Sequence, residues 1–230
     1  MSCKEINYNI ISSGSKGNAV VINDKILIDC GVPFKALQPF YKAFKIVLLT
    51  HIHSDHFNKT TIKALARERP TLRFACGRWL AEPLVKCGVN KSNIDILQFD
   101  TMYGYGICNI IPVPLVHNVP NLGWKIHFAD GGKMIYATDT NNLNGITARN
   151  YDLFMIEANY EDEIIQKKIQ QKKENGEFIY EKRVLKDHLS KAKCDDFIYK
   201  NIGPNGRYVY LHCHQDEEDS DDNNSEDIAV

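Results

Sequence analysis

The sequence predicts a single α/β domain, and three observations carry that expectation. Short apolar runs recur along residues 6–211, each the length of a buried or half-buried strand. Longer segments with helical signals lie among them, so that strands dominate the first half and strands and helices alternate later. No linker, repeat or low-complexity stretch interrupts the chain before residue 216, and 230 residues, 43% of them hydrophobic, suffice for a substantial core.

In chain order, residues 6–11 and 19–22 read as strands joined by the loop Ser12-Ser13-Gly14-Ser15-Lys16-Gly17-Asn18, and Asn23-Asp24 turns the chain into a strand at 25–29. Pro33 opens a short helix to about Tyr41, and Ile46-Val47-Leu48-Leu49 is a buried strand. Helices at 59–69, ending before Pro70, and at 78–87, closed by Gly88, flank a strand at 72–76. The middle is β-rich, with strands at 107–113, 123–128 and, after Asp130-Gly131-Gly132, at 133–137. Residues 152–156 are a short buried strand, helices follow at 161–173 and 181–201 across Asn175-Gly176, and 207–211 is the last strand.

The net charge of −1 hides a segregation. Residues 216–230 hold eight acids and no Lys or Arg; eight from 29 leaves 21 acids against 28 bases in residues 1–215, a body of +7. Such a body steers anionic substrates toward it. The expected organisation is one hydrolase domain over 1–215 and a disordered acidic tail over 216–230, held extended by self-repulsion. Seven cysteines without a Cys-x-x-Cys read as reduced thiols. With no signal-peptide h-region and no apolar run near the ~20 residues of a membrane span, the expected address is the cytoplasm, without membrane contact.

The segment Thr50-His51-Ile52-His53-Ser54-Asp55-His56 places four metal-ligand side chains within six residues, directly after a buried strand. Imidazole nitrogen and carboxylate oxygen bind zinc at roughly 2.0–2.2 Å. In an extended segment His51 and His53 point the same way and can share one ion, while Asp55 and His56, beyond the turn, suit a second. Further ligands should follow other strand ends. His117 follows Ile111-Pro112-Val113-Pro114-Leu115-Val116, Asp139 follows Met134-Ile135-Tyr136-Ala137-Thr138, and His212 follows Tyr208-Val209-Tyr210-Leu211. Asp139 is the natural bridge, since a carboxylate offers one oxygen to each ion.

With the ligand loop, Ser13-Gly14-Ser15-Lys16-Gly17-Asn18, Leu27-Ile28-Asp29-Cys30-Gly31, Ala137-Thr138-Asp139-Thr140, Glu157-Ala158-Asn159, Asp187-His188-Leu189-Ser190 and Leu211-His212, the chain resembles the metallo-β-lactamase fold superfamily in order over residues 6–214. Within it the sequence is similar to the compact nuclease and phosphodiesterase branch of YycJ/WalJ-type DNA exonucleases, with ribonuclease Z more distant. The resemblance implies a four-layer αβ/βα sandwich, two mixed sheets inside outer helices, and two divalent metals, zinc or else manganese, along one edge. It assigns His51, His53 and His117 to the first metal, Asp55, His56 and His212 to the second, and Asp139 to both. It also implies a catalytic role for His188, as general acid or substrate contact, beside Asp55. Asp29 and Glu157, at strand ends, would orient ligating imidazoles through their second nitrogens. Ser13, Ser15, Lys16 and Asn18 would contact the substrate phosphate, through side chains and glycine-turn amides.

Two positions depart from the family pattern. Asn118 stands where an acidic residue follows the third-site histidine, and Cys213-His214 follows His212, so that His214 is the alternative last ligand. The expected reaction is attack of a metal-bridging hydroxide on phosphorus, with His188 protonating the leaving oxygen. Lys167, Lys168, Lys172, Lys173, Lys182, Arg183 and Lys186, in the helical segment before His188, either track a nucleic-acid backbone or form a solvated face. Only 21 residues separate His117 from Asp139, too few for the tRNA-gripping arm of bacterial ribonuclease Z. The first expectation is therefore a DNA or RNA nuclease. The alternatives are a cyclic-nucleotide phosphodiesterase resembling the anti-Pycsar enzymes of phage, a lactone or thioester hydrolase on the same metal core, and a metal-binding module without turnover. A nucleic acid or nucleotide phosphodiester is the expected partner, with a homodimer allowed.

Overall fold

A computed structural model describes residues 5–213, so the acidic tail and His214 lie outside the described residues. Its first half builds β1 (Tyr8–Ser12), β2 (Ala19–Ile22), β3 (Ile26–Ile28), α1 (Phe34–Leu37), β4 (Ile46–Leu49), α2 (Lys59–Glu68), β5 (Arg73–Cys76), α3 (Arg78–Lys86) and β6 (Ile94–Ile96). The second half builds β7 (Tyr103–Gly104), β8 (Cys108–Leu115), β9 (Asn121–Phe128), β10 (Lys133–Ala137), β11 (Tyr151–Glu157), α4 (Asp162–Glu174), α5 (Glu181–Asp187), α6 (Lys191–Asn201) and β12 (Ile202–Leu211). The strands form two mixed six-stranded sheets, ordered β1-β2-β3-β4-β5-β6 and β12-β11-β10-β9-β8-β7.

Strand alternation assigns the layers. Successive side chains point to opposite faces, and in β4 Ile46 and Leu48 face the other sheet while Val47 and Leu49 face helices. In β10 Met134 and Tyr136 enter the inter-sheet core, while Ile135 and Ala137 pack under α6 with Cys194, Phe197 and Ile198. Both faces being buried explains why these strands read as unbroken apolar runs. The result is the αβ/βα sandwich, with Trp124, the largest fully buried side chain among the described residues, in the inter-sheet layer. Asn23 and Asp24 take positive φ, 48° and 57°, as the central residues of the tight turn that Lys25 N closes by donating to Ile22 O (3.0 Å).

Topology gathers the strand ends. β3, β4 and β5 are mutually parallel, as are β10, β11 and β12, and β8 lies antiparallel to β9, which lies antiparallel to β10. Within each sheet, the C-terminal ends of these site-bearing strands therefore open on one edge.

The structure corrects two sequence expectations. The short strands β6 and β7 were not foreseen, and the helix expected over 181–201 is broken after Asp187. His188 is therefore not helical; its φ of −128° and ψ of 161° are extended. Ser190 caps the N-terminus of α6 by accepting a hydrogen bond from the Lys193 amide (3.3 Å). Lys191 N donates to Tyr160 O (2.8 Å) and Asn159 N to Leu189 O (2.9 Å), drawing the break against the segment after β11.

Candidate metal centre

The ligand loop is held from beneath. Asp29, at φ 59°, accepts from the Thr50 amide (2.9 Å) and hydroxyl (3.0 Å), and its Oδ2 meets His56 Nδ1 at 2.7 Å. His53 O accepts from the amides of His56 (3.0 Å) and Phe57 (2.7 Å), closing the turn. Cys30 N donates to His56 O (2.8 Å) and Asn18 N to Asp55 O (2.6 Å). Gly31 is dictated by this packing, because a Cβ there would lie 1.7 Å from Asp55 O.

Seven predicted ligands converge. His51 Nε2 lies 3.1 Å from His53 Nδ1, which lies 3.4 Å from His117 Nε2. Two ligands about 2.1 Å from one tetrahedral ion stand about 3.4 Å apart. Asp55, His56 and His212 make a second cluster whose donor atoms lie within 4.8 Å of one another. Asp139 sits between the clusters, with Oδ1 3.8 Å from His117 Nε2 and Oδ2 2.9 Å from His56 Nε2 and 3.4 Å from His212 Nδ1. Asp139 and His212 both occupy the left-handed region, at φ 56° and 50°, where their strands end.

The donors fit two cations. Asp139 Oδ2 and His212 Nδ1 are buried; His212 Nδ1 has no hydrogen-bond partner among the described residues, and Asp139 Oδ2 meets imidazole nitrogens, His56 Nε2 at 2.9 Å and His212 Nδ1 at 3.4 Å. Burial pushes His212 down to about 4 and His51 well below the ordinary imidazole value, which keeps both as lone-pair donors. Burial also opposes a charge on His56, but the carboxylates of Asp139 and Asp29 outweigh it and hold its pKa well above the ordinary value. His56 therefore stands between two buried carboxylates, Asp29 Oδ2 at 2.7 Å and Asp139 Oδ2 at 2.9 Å.

The two strand-end carboxylates each grip an imidazole. Asp29 orients His56, whereas Glu157 Oε1 takes His188 Nδ1 at 2.6 Å and its Oε2 accepts from the Thr140 amide at 2.9 Å. Burial raises Glu157 to about 7. The His188 ring lies 5.5 Å from that of His117 and 5.2 Å from that of His212. Asn118 Nδ2 donates to Asp187 Oδ2 (3.1 Å), and the Asp187 carbonyl lies 3.0 Å from His117 Nδ1, so α5 orients the third histidine through its last residue.

A cleft of about 190 Å³ opens over the clusters, lined by Ser15, His53, Asp55, Asn118, Asp139, Tyr180, Arg183, Val184, His188 and His212. Of the predicted substrate contacts, Ser15 lines it. Ser13 Oγ instead accepts from the His212 amide (2.8 Å), and Lys16 is exposed outside the lining. Asn18 is only 1% exposed and lies under the loop, its Nδ2 3.3 Å from Asp55 O and 2.8 Å from His56 Nε2, so it supports ligands where a substrate contact was expected. Sequence reasoning did not single out Tyr180 as a cleft residue. The signal was spacing: Tyr180, Arg183, Val184 and Asp187 share one helical face.

Fold and site together define a metal-dependent hydrolase of the metallo-β-lactamase fold, with His and Asp clusters compatible with a dinuclear centre. The chain belongs to the beta-lactamase superfamily, whose domain it matches over residues 24–177. Among solved structures it is similar to the metallo-beta-lactamase fold protein YhfI from Bacillus subtilis, with TM-score 0.70 and 17% identity over 91% of this chain and 87% of that one. It is also similar to the short form of human tRNase Z (TM-score 0.66, 14% identity, 90% and 92% covered). A diphosphatase of the PhnP family superposes with TM-score 0.61 and 14% identity, covering 90% of this chain and 85% of that one. No curated protein sequence matches. No helix among the described residues is long and apolar enough to cross a membrane.

Proposed function

We propose that this protein is a phosphodiesterase acting on a nucleotide or nucleic-acid phosphodiester. The observation that carries the proposal is His188, gripped through Nδ1 by Glu157 at 2.6 Å beside the shared Asp139. That contact leaves Nε2 as the ring atom for a substrate oxygen. An alkoxide leaving from phosphorus needs a proton, and a fixed imidazole at the cleft is suited to deliver it. Arg183 adds a guanidinium to the cleft wall, a planar donor suited to phosphate oxygens. Two of the similar structures, the tRNase Z and the diphosphatase, carry names of phosphate-cleaving enzymes.

His51, His53 and His117 would hold one ion and Asp55, His56 and His212 the other, with Asp139 reaching both. Bound there, divalent ions, zinc in the first instance, activate water and neutralise charge developing on phosphate oxygens. Asp29 and Asp187 keep the ligand rings oriented, Asp55 stands at the cleft floor, and Glu157 fixes the ring that moves the proton.

A cyclic-nucleotide phosphodiesterase is the second reading, favoured by the small cleft of about 190 Å³. Zinc- or manganese-loaded protein incubated in parallel with linear DNA, RNA, cyclic mononucleotides and a lactone separates these readings. Cleavage of DNA or RNA supports a nuclease, and cleavage of cyclic mononucleotides alone supports the second reading. Turnover of the lactone with every phosphodiester intact would overturn both.

A further inference from the structure

The wall of the cleft formed by α5 has a second side. Tyr180 lines both the metal cleft and a neighbouring hollow of about 380 Å³ between α4 and α5, whose other lining residues are Lys168, Gln171, Lys172, Glu177 and Glu181. The two cavities therefore meet at one phenol ring, 43% exposed. Arg183 stands three residues further along the same helical face, its side chain 71% exposed and its Nε 3.5 Å from Asp187 Oδ2.

The wall is fixed to the metal site. Asp187 O contacts His117 Nδ1, and Asn141, two residues after Asp139, donates to the carbonyls of Leu185 (3.1 Å) and Lys186 (2.8 Å). A group resting on this face is thereby registered against the ligands.

The chemistry of the hollow differs from that of the cleft. Its two lysines face two glutamates, and Lys172 Nζ is committed to Glu181 Oε1 at 2.5 Å. The lining is thus formally neutral, which suits an uncharged group better than a second phosphate. Gln171 offers both a donor and an acceptor. Glu181 is 6% exposed, and its Oε2 has no hydrogen-bond partner among the described residues, an acceptor an amino or ring N–H can meet. A flat, uncharged group with donors and acceptors on its edge, standing next to a phosphate, is a nucleobase.

We propose that Tyr180 and Arg183 form the recognition subsite for the nucleoside flanking the scissile phosphate, Arg183 binding a non-bridging phosphate oxygen and Tyr180 carrying the base, whose edge enters the α4–α5 hollow. This rests on the phosphodiesterase reading above. Stacking a base on an aromatic side chain is worth about 1–3 kcal/mol, or roughly 5- to 150-fold.

The test compares two substrates, methyl p-nitrophenyl phosphate, which has no base, and thymidine 5′-(p-nitrophenyl phosphate), in metal-loaded wild type, Tyr180→Ala, Tyr180→Phe and Arg183→Lys. The expected result is that the ratio of kcat/KM, nucleotide over base-free ester, falls about tenfold or more in Tyr180→Ala, mainly through KM, and returns in Tyr180→Phe. Arg183→Lys, which keeps the charge but loses the planar fork, lowers kcat/KM for both esters. If Tyr180→Ala loses activity on both esters equally, the subsite is overturned and the phosphodiesterase reading stands. If wild type cleaves neither ester, both fall.

Discussion

At the residue scale, the site depends on a few side chains held where their elements end. Asp29, Asp139 and His212 all take positive φ. That conformation is uncommon outside glycine, with Asp and His among the residues that tolerate it best. Two substitutions separate support from chemistry. Gly31→Ala would place a Cβ 1.7 Å from Asp55 O, so the ligand loop must shift. Denaturant unfolding should show a loss of about 1–3 kcal/mol, and metal analysis a shortfall at the second cluster. His188→Ala should leave metal content unchanged while cutting turnover about 10²- to 10⁴-fold, read by paired metal analysis and rate measurement. Loss of metal together with activity would place His188 among the ligands.

At the element scale, what could be read from the sequence divides along physical lines. β2 and β4 could be bounded from their apolar runs because both faces are buried, and the ligands follow because His51, His117, Asp139 and His212 each come at or just after a strand end. β6 and β7 escaped notice because they are three and two residues long and partly exposed, leaving no periodicity to read. The break between α5 and α6 carries no Gly or Pro, and its only local signal is Ser190 as an N-cap. The break is fixed by tertiary contacts, with Leu189 buried in the core under β11 and the Asp187 carbonyl turned to His117. Ser190→Ala should therefore cost about 1 kcal/mol in urea unfolding, with a larger effect on turnover than a remote helix cap has, because His188 lies two residues away.

The molecule as a whole is two sheets whose strand ends bring candidate metal-binding side chains together from both sides, so that two bound ions would stitch the halves of the sandwich together. The first half gives His51, His53, Asp55 and His56, and the second gives His117, Asp139 and His212. Ligands that bind only the folded state stabilise it, by about 4.1 kcal/mol at a thousandfold excess over the dissociation constant. For a chain of this size that is a shift of roughly 8–16 °C. Chelation should lower the melting temperature of the metal-loaded protein by about that amount, and an unchanged transition would mean that the halves do not share bound metal.

A two-metal site with Asp139 common to both ions stands or falls on metal content. Zinc or manganese bound at saturation, measured by atomic emission on wild type and on Asp139→Asn, should give two equivalents for wild type and fewer for the variant, with loss of hydrolysis. One equivalent or less in wild type, or full occupancy and activity in Asp139→Asn, would contradict it.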